Sequence, residues 1–316
     1  MKNYLIPFKS IIKTYNKLST WGKLLLIIVI LLIAIVFFKK NNLEGFRENG
    51  NFQFKTGEGV YDDFYVNIYD ELFYNNLRDN YEVGNIINTT YPDSHSVILD
   101  IGCGTGHIVN EFGSKNYNIM GIDKSIEMIN KAQELYPEYR FELKDALNAY
   151  NFNNETFTHI TCLYYTIYYM KDKYLFFNNC FKWLLPNGSL VIHLVDREMF
   201  DPILNAANPL IMLSPQRYAK DRITTSSITF DDFKYKSDFK LDKNNDTAVF
   251  SEKFEFKNSN KTRKNEHILY MEPDTDILEI AKSIGFLIKG KIDLIKTGYE
   301  YNYLYILKKT IIIIII

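Results

Sequence analysis

The sequence predicts an α/β protein built on a doubly wound parallel sheet. An antiparallel β subdomain is inserted before the last strands, and one N-terminal transmembrane helix is expected ahead of it all. Three observations predict this. Short apolar strands alternate with helix-patterned segments between Val97 and Val195. From residue 222 to 272 helix signals give way to period-2 stretches separated by Asn-rich and Lys-rich turns. Leu24 to Phe38 is apolar without a break.

Composition bounds the reading. The 316 residues are 47% hydrophobic and 16% aromatic, with 24 Tyr and 23 Phe, which is ample core material for one large domain or two small ones. Thirty-seven basic and 38 acidic side chains leave a net charge of -1. That excludes a polycation built to coat nucleic acid, and no nucleic-acid partner is expected; it also excludes a mostly disordered chain. Cys103, Cys162 and Cys180 are odd in number and form no CxxC or Cys/His cluster, so neither a disulfide framework nor a metal site is expected.

Residues 1–20 are a basic segment with Lys2, Lys9, Lys13 and Lys17; with Lys23 these precede the apolar run, and no acid lies among them. As a helix, Leu24 to Phe38 would span about 22 Å, short of a hydrocarbon core of about 30 Å. Counting Trp21 and Gly22, and letting Lys23 snorkel, extends it to about 27 Å. The run ends in Phe37-Phe38-Lys39-Lys40, with no small-residue cleavage site, so residues 21–39 are expected to be a single retained anchor. The lysine bias leans towards a cytosolic N-terminus. Residues 40–58 are polar, contain three glycines and read as a linker. A core at 59–200 follows, opening with a helix over Asp62 to Tyr74. Strands are expected at Val97 to Ile101, Asn118 to Asp123, Tyr139 to Leu143, Phe157 to Leu163 and Ser189 to Val195. Helices are expected at Ser125 to Leu135, with Ser125 as N-cap, and at Lys173 to Leu184. The inserted β subdomain occupies 201–273. The last helix and strands fill 274–309, and residues 310–316 are a poly-Ile tail that reads as translation of a simple repeat.

The main functional signal is VILDIGCGTGHIVNEF, residues 97–112. A buried strand ends in Asp100, and Gly102, Gly104 and Gly106 alternate before a helical run. Glycine lets the backbone turn sharply and admits a ligand without a β-carbon in the way. The helix that follows aims free N–H groups at the same crevice, at the carboxyl end of the first strand. A nucleotide-like ligand is therefore expected there. The dinucleotide fingerprint GxGxxG fails: counted from Gly102, its third glycine would fall at His107. The spacing DxGxGxG instead resembles motif I of the class I S-adenosylmethionine-dependent methyltransferases. The resemblance covers most of residues 60–308 and implies a Rossmann-like, seven-stranded methyltransferase sheet with S-adenosylmethionine as cofactor.

The resemblance also implies roles, position by position. Asp123, which ends the second strand, matches the acid that holds the ribose hydroxyls. Asp145 and Ala146 match the pair at the adenine. The stretch from Cys162 through Leu163 to Tyr169 matches the segment beneath the methionine part of the cofactor, and its tyrosine rings would suit a sulfonium. Tyr65 and Tyr69, on the helix over 61–73, match the helix that closes over the cofactor in small-molecule methyltransferases. No NPPY-type acceptor motif follows the fourth strand. The order of strands, NEHILYM and a helix ending in SIGF is similar to the sugar N,N-dimethyltransferases and related small-molecule N-methyltransferases, in which the inserted sheet covers the acceptor and can pair subunits. A homodimer is one expectation from that layout. An amine acceptor needs only to be unprotonated, while a hydroxyl usually needs a base. Base candidates are His193, Asp196 and His267.

The expected function is thus a membrane-anchored methyltransferase acting on a small molecule, a sugar or a lipid headgroup, at nitrogen or oxygen. The alternative is a non-catalytic cofactor-binding or scaffold protein with this fold. The lysine bias would put the catalytic domain on the far side of the membrane, but the cofactor is made in the cytosol and free cysteines suit a reducing compartment, so the catalytic domain is expected on the cytosolic side.

Overall fold

The computed structural model describes residues 19–23, 51–203, 205–207 and 214–310. Residues 20–23 are helical, and the Ser19 hydroxyl accepts the Gly22 N–H at 3.2 Å. The expected membrane anchor is corrected: among the described residues no helix is long and apolar enough to cross a membrane. The physical reason is already in its length. The uninterrupted run falls about 8 Å short of a hydrocarbon core and reached further only by counting Trp21, Gly22 and a snorkelling lysine. Single-pass membrane localisation loses its support with it. Residues 24–39 of that segment, most of the basic segment 1–20, residues 40–50 and the six isoleucines 311–316 lie outside the described residues.

From Phe52 onward the chain forms one unit with two sheets. The elements run in the order β1 (Phe52–Thr56), α1 (Asp63–Phe73), α2 (Asn76–Thr90), β2 (Val97–Ile101), α3 (His107–Gly113), β3 (Asn118–Asp123), α4 (Ile126–Leu135), β4 (Arg140–Leu143), β5 (Phe157–Cys162), α5 (Lys173–Trp183) and β6 (Leu184–Val195). They continue with β7 (Thr225–Thr229), β8 (Phe233–Asp242), β9 (Thr247–Phe256), β10 (Thr262–Tyr270), α6 (Asp274–Ile284), β11 (Phe286–Asp293) and β12 (Asn302–Lys309).

The main sheet has seven strands in the order β11-β12-β6-β5-β2-β3-β4. β4, β3, β2, β5 and β6 pair in parallel, and β12 runs antiparallel to β6. Apolar residues fill both faces of its central strands, as a parallel sheet covered on both sides requires. Phe176, Phe177, Cys180 and Trp183 of α5 pack on one face with Ile277 and Ala281 of α6. Val83 and Ile86 of α2, Val109 and Phe112 of α3, and Ile129 and Ala132 of α4 pack on the other. Strand order reverses between β2 and β5, which opens a crevice at their carboxyl ends.

The second sheet has five strands in the order β1-β10-β9-β8-β7. β7 to β10 form an antiparallel meander, which is the inserted subdomain. β1 lies within the stretch that reads as a linker, yet pairs in parallel with β10, Phe52 opposite Thr262. Its five residues, with both phenylalanines partly exposed, carry almost no hydrophobic pattern. α2 also escapes the sequence reading. Its inward face carries Arg78, Asp79 and Glu82 beside Val83 and Ile86, so the apolar stripe is thin.

Candidate functional site

A cavity of about 420 Å³ lies where the two sheets and α1 meet. One end is set by the glycine loop. Gly102 has φ +71° and Gly104 φ +53°. A β-carbon on Gly102 would stand 2.3 Å from Thr166 Cγ2, so glycine there lets the loop close on the turn after β5. A β-carbon on Gly104 would meet only Tyr69, 4.0 Å away, and would project into the cavity. The two glycines serve different ends: one permits a close approach within the chain, the other leaves bare backbone for a ligand. The loop is tied to β3, because Gly102 and Cys103 both donate to the Ile122 carbonyl, at 2.8 and 3.0 Å.

Asp123 closes this end. Its Oδ2 accepts the Gly104 N–H at 3.1 Å and its Oδ1 accepts the Ser125 N–H at 2.9 Å. Burial raises its pKa above the ordinary carboxylate range, opposed by the N–H groups of Ser125, Gly104 and Lys124. The turn after β4 is held to β3 through Lys144 N–H to the Asp123 carbonyl, 2.9 Å. It brings exposed Asp145 and buried Ala146 to the cavity wall. Tyr65, Tyr69, Gly102, Gly104, Asp123, Asp145 and Ala146 all line the cavity. Asp100, Gly106 and Leu163 do not. Asp100 is buried behind the loop and accepts the Thr161 hydroxyl at 2.7 Å. Gly106 caps α3 against Phe141, and Leu163 packs with the helices on one face of the sheet.

The roof is α1. Its N-cap Asp62 accepts the Tyr65 N–H and is gripped by Arg263 of β10, whose Nη1 reaches both carboxylate oxygens at 2.6 and 2.8 Å. Further along, Asp70 Oδ1 accepts the Thr105 hydroxyl at 2.7 Å, and Oδ2 lies 3.0 Å from His107 Nε2. The helix is thereby fixed to the second sheet at one end and to the glycine loop at the other. Its tyrosines face the cavity with Tyr61, Tyr164, Tyr165 and Tyr169. Tyr164 and Tyr165 have φ +44° and +64°, a left-handed pair rare for aromatic residues, which turns both rings inward after β5. The buried Arg78 guanidinium lies 3.9 Å from the Tyr164 ring centre.

The far end is a polar network on the second sheet. His267 of β10 lines the cavity. Its Nε2 is 2.9 Å from Glu252 Oε2 and 3.3 Å from the Tyr65 hydroxyl, and its Nδ1 is 3.1 Å from the Tyr169 hydroxyl. Glu252, on β9, also receives Asn265 Nδ2 at 3.0 Å and the Tyr235 hydroxyl at 2.8 Å. Burial alone would raise the pKa of Glu252, but donors on both oxygens reverse this and hold it below the ordinary value. The other two base candidates are placed away from the cavity. His193 is fully buried, donates Nε2–H to Asn302 Oδ1 at 3.0 Å and stacks on Tyr165; burial pushes its pKa down to about 3. Asp196 caps the turn after β6, accepting the Glu198 and Met199 N–H groups. Glu252, Tyr61 and Arg78 were not singled out from the sequence, and no local spacing marks them; Tyr164 belongs to the tyrosine-rich stretch after β5 that the sequence did point to.

Residues 98–188 match the family model described as a methyltransferase domain. A 66-residue stretch is 38% identical to a protein of Invertebrate iridescent virus 6 named as methyltransferase 235L, over 20% of this chain and 25% of that one. A second stretch of 146 residues is 30% identical to a dTDP-4-amino-2,3,4,6-tetradeoxy-D-glucose N,N-dimethyltransferase of Saccharopolyspora spinosa, over 44% of this chain and 57% of that one. The chain thus spans between a quarter and just over half the length of these curated relatives. Among solved structures it is similar to the CcbJ methyltransferase of Streptomyces caelestis, with TM-score 0.62, 14% identity and cover of 81% and 100%. It is also similar to S-adenosylmethionine-bound CalS10, an amino pentose methyltransferase of Micromonospora echinaspora, with TM-score 0.55, 16% identity and cover of 79% and 97%. The fold is that of the Rossmann-like methyltransferases, and residues 98–188 are a class I S-adenosylmethionine-dependent methyltransferase domain.

Proposed function

We propose that the chain transfers a methyl group from S-adenosylmethionine to a small-molecule acceptor of the amino-sugar kind. The observation that carries this reading is the continuity of the cavity. One space joins the glycine loop and Asp123 to a second, aromatic end covered by the inserted sheet. The residues fit the cofactor. Gly104 leaves its backbone bare, Asp123 offers a carboxylate edge for vicinal hydroxyls, and Asp145 with Ala146 offers an acid beside a small apolar surface. Bound there, the cofactor supplies a methyl group already activated on a positive sulfur. Tyr69, Tyr164 and Tyr165 would offer ring faces to that charge. The roof made by α1 would exclude water and hold the acceptor in line, which for this chemistry is most of the catalytic task.

The acceptor class rests on the dimethyltransferase of Saccharopolyspora spinosa and on the match in layout over the inserted sheet. Calorimetric titration of the full chain with S-adenosylhomocysteine, beside Asp123→Ala, tests the cofactor half. Loss of the charge-assisted bonds is expected to weaken binding by about 30- to 100-fold, or ~2–3 kcal/mol. A folded chain that binds none would sink the proposal.

A further inference from the structure

Among the described residues, the charges on the cavity wall are unevenly shared. Lys124 and Lys144 flank Asp123 and Asp145 at the glycine-loop end. The opposite end has no Lys or Arg among its described lining residues. It offers Tyr61, Tyr65, Tyr169, Phe250 and His267, with Asp201 on the wall and Glu252 behind His267. An aromatic surface backed by carboxylates attracts a cation and repels a phosphate or carboxylate.

Hydrogen bonding fixes the direction in which a proton can move. Glu252 is held ionised by donors from three side chains and can only accept. His267 therefore carries its proton on Nε2, and Nδ1 is the basic nitrogen. Tyr169 must donate to Nδ1 across 3.1 Å. The Tyr169 ring is 43% exposed, towards the cavity, and its hydroxyl is also bonded to Tyr61. Although the residue opens to the cavity, the aromatic wall desolvates the Tyr169 hydroxyl and raises its pKa, so it can pass a proton on but not hold the charge.

We infer that the acceptor is an amine that enters as an ammonium ion, and that His267, positioned by Glu252, removes its proton through Tyr169. This rests on the methyltransferase reading and deepens it. One N–H bond of the ammonium breaks, and its proton goes to the Tyr169 oxygen as the Tyr169 hydroxyl proton goes to Nδ1. The amine keeps the freed lone pair and is neutral, which is the form a methyl acceptor requires. The imidazolium left behind faces the Glu252 carboxylate. Tyr169 and His267 touch the acceptor or its proton; Glu252 is a positioning residue. The groups around His267 that bear on its titration are Tyr61, Tyr65, Tyr169 and Glu252, with Tyr235 and Arg263 beyond Glu252 and Asn265.

The test uses the full chain and labelled cofactor. Acceptor probes are methylamine, aminohexoses and nucleotide-linked 4-aminohexoses, each beside its hydroxyl counterpart. Label is expected on nitrogen only. His267→Gln should lower transfer by about 100- to 10,000-fold, with S-adenosylhomocysteine affinity within about threefold of wild type. Glu252→Gln should lower the rate less and move the acid limb of the pH–rate profile to lower pH, because the imidazolium loses its counter-charge. A purely structural Glu252 would lower the rate without moving the limb. Histidine-ring NMR, with the His267 signal assigned by its absence in His267→Gln, should show the same displacement without turnover. Label on oxygen overturns the inference. So does amine transfer that both variants leave within about threefold, or a chain that binds the cofactor product and methylates no amine of the set. A wild-type chain that binds no S-adenosylhomocysteine fails at the proposed function instead.

Discussion

At the glycine-loop end the cavity is framed by a backbone loop, held by bonds from Gly102 and Cys103 to Ile122 and from Gly104 to Asp123. At the second-sheet end the wall is side chain, assembled from residues 61–69, 169 and 250–267. Buried carboxylates show the same contrast. Glu252 is surrounded by donors and stays below the ordinary carboxylate pKa. Glu82, on α2 beneath the loop, is fully buried; neither of its oxygens has a hydrogen-bond partner among the described residues, and burial pushes it up to about 8. One end supplies a frame over a buried acid that burial keeps protonated, and the other sets its buried carboxylate in a satisfied network that can move a proton. The frame depends on main-chain shape, so it tolerates little change at glycine. The network depends on donors and acceptors, so it is sensitive to isosteric change.

The largest expected effect tests the frame. In Gly102→Ala the new β-carbon meets Thr166 at 2.3 Å in a backbone conformation that L side chains rarely adopt. Overpacking and the left-handed φ together should cost about 3–5 kcal/mol. Chemical denaturation should show the loss, and calorimetry should show S-adenosylhomocysteine affinity down by more than about 100-fold. If the variant binds as wild type, the loop is not the rigid element described.

The next effect sharpens the contrast between the carboxylates. Folding raises the pKa of Glu82 from 4.5 to about 8, so the folded chain binds the extra proton between those values. Stability therefore falls as pH rises through that window, and the loss is complete above it. Asp100, raised by burial to about 7, adds a slope of the same sign at lower pH. Glu82→Gln removes the first contribution and leaves the second. Between pH 5 and pH 8 wild type should lose about 2–4 kcal/mol relative to the variant, read from denaturation at both values. Equal pH dependence in the two proteins would mean that Glu82 finds a partner.

This division explains what could be read in the sequence. Gly102, Gly104 and Asp123 act through local spacing along one strand, one loop and the next strand, and a single chain shows such spacing. Asp100 sits within the same motif, yet its side chain points into the sheet, because strand alternation decides the face and the motif does not. His193 and Asp196 look like bases at the end of an apolar strand. The first is buried against Asn302 and the second turns away into a cap. His267 was visible as a residue, but Glu252 was not, since fifteen positions separate them and only the antiparallel register of β9 and β10 sets them side by side. β1 and α2 stayed illegible for another reason: an edge strand of five residues and a helix with acids on its inner face carry weak apolar periodicity.

The smallest effect tests whether the two ends communicate, and it falls on α1. Asp70 joins the roof to the frame through Thr105 and His107, and His107 is itself stacked on Tyr74 and bonded to Tyr136 at 2.7 Å. Arg263 holds the other end of the helix to the network through Asp62. Asp70 is partly exposed, so Asp70→Ala should cost only about 1 kcal/mol of stability. Because Tyr65 bonds to His267 while Tyr69 lies over Gly104, loosening the helix disturbs both ends together. The Kd for S-adenosylhomocysteine and the KM for an amine acceptor should both rise about three- to tenfold, roughly 1 kcal/mol each, with kcat nearly unchanged. A rise in one constant alone would show that the helix serves a single end, and that frame and network are independent parts sharing a wall.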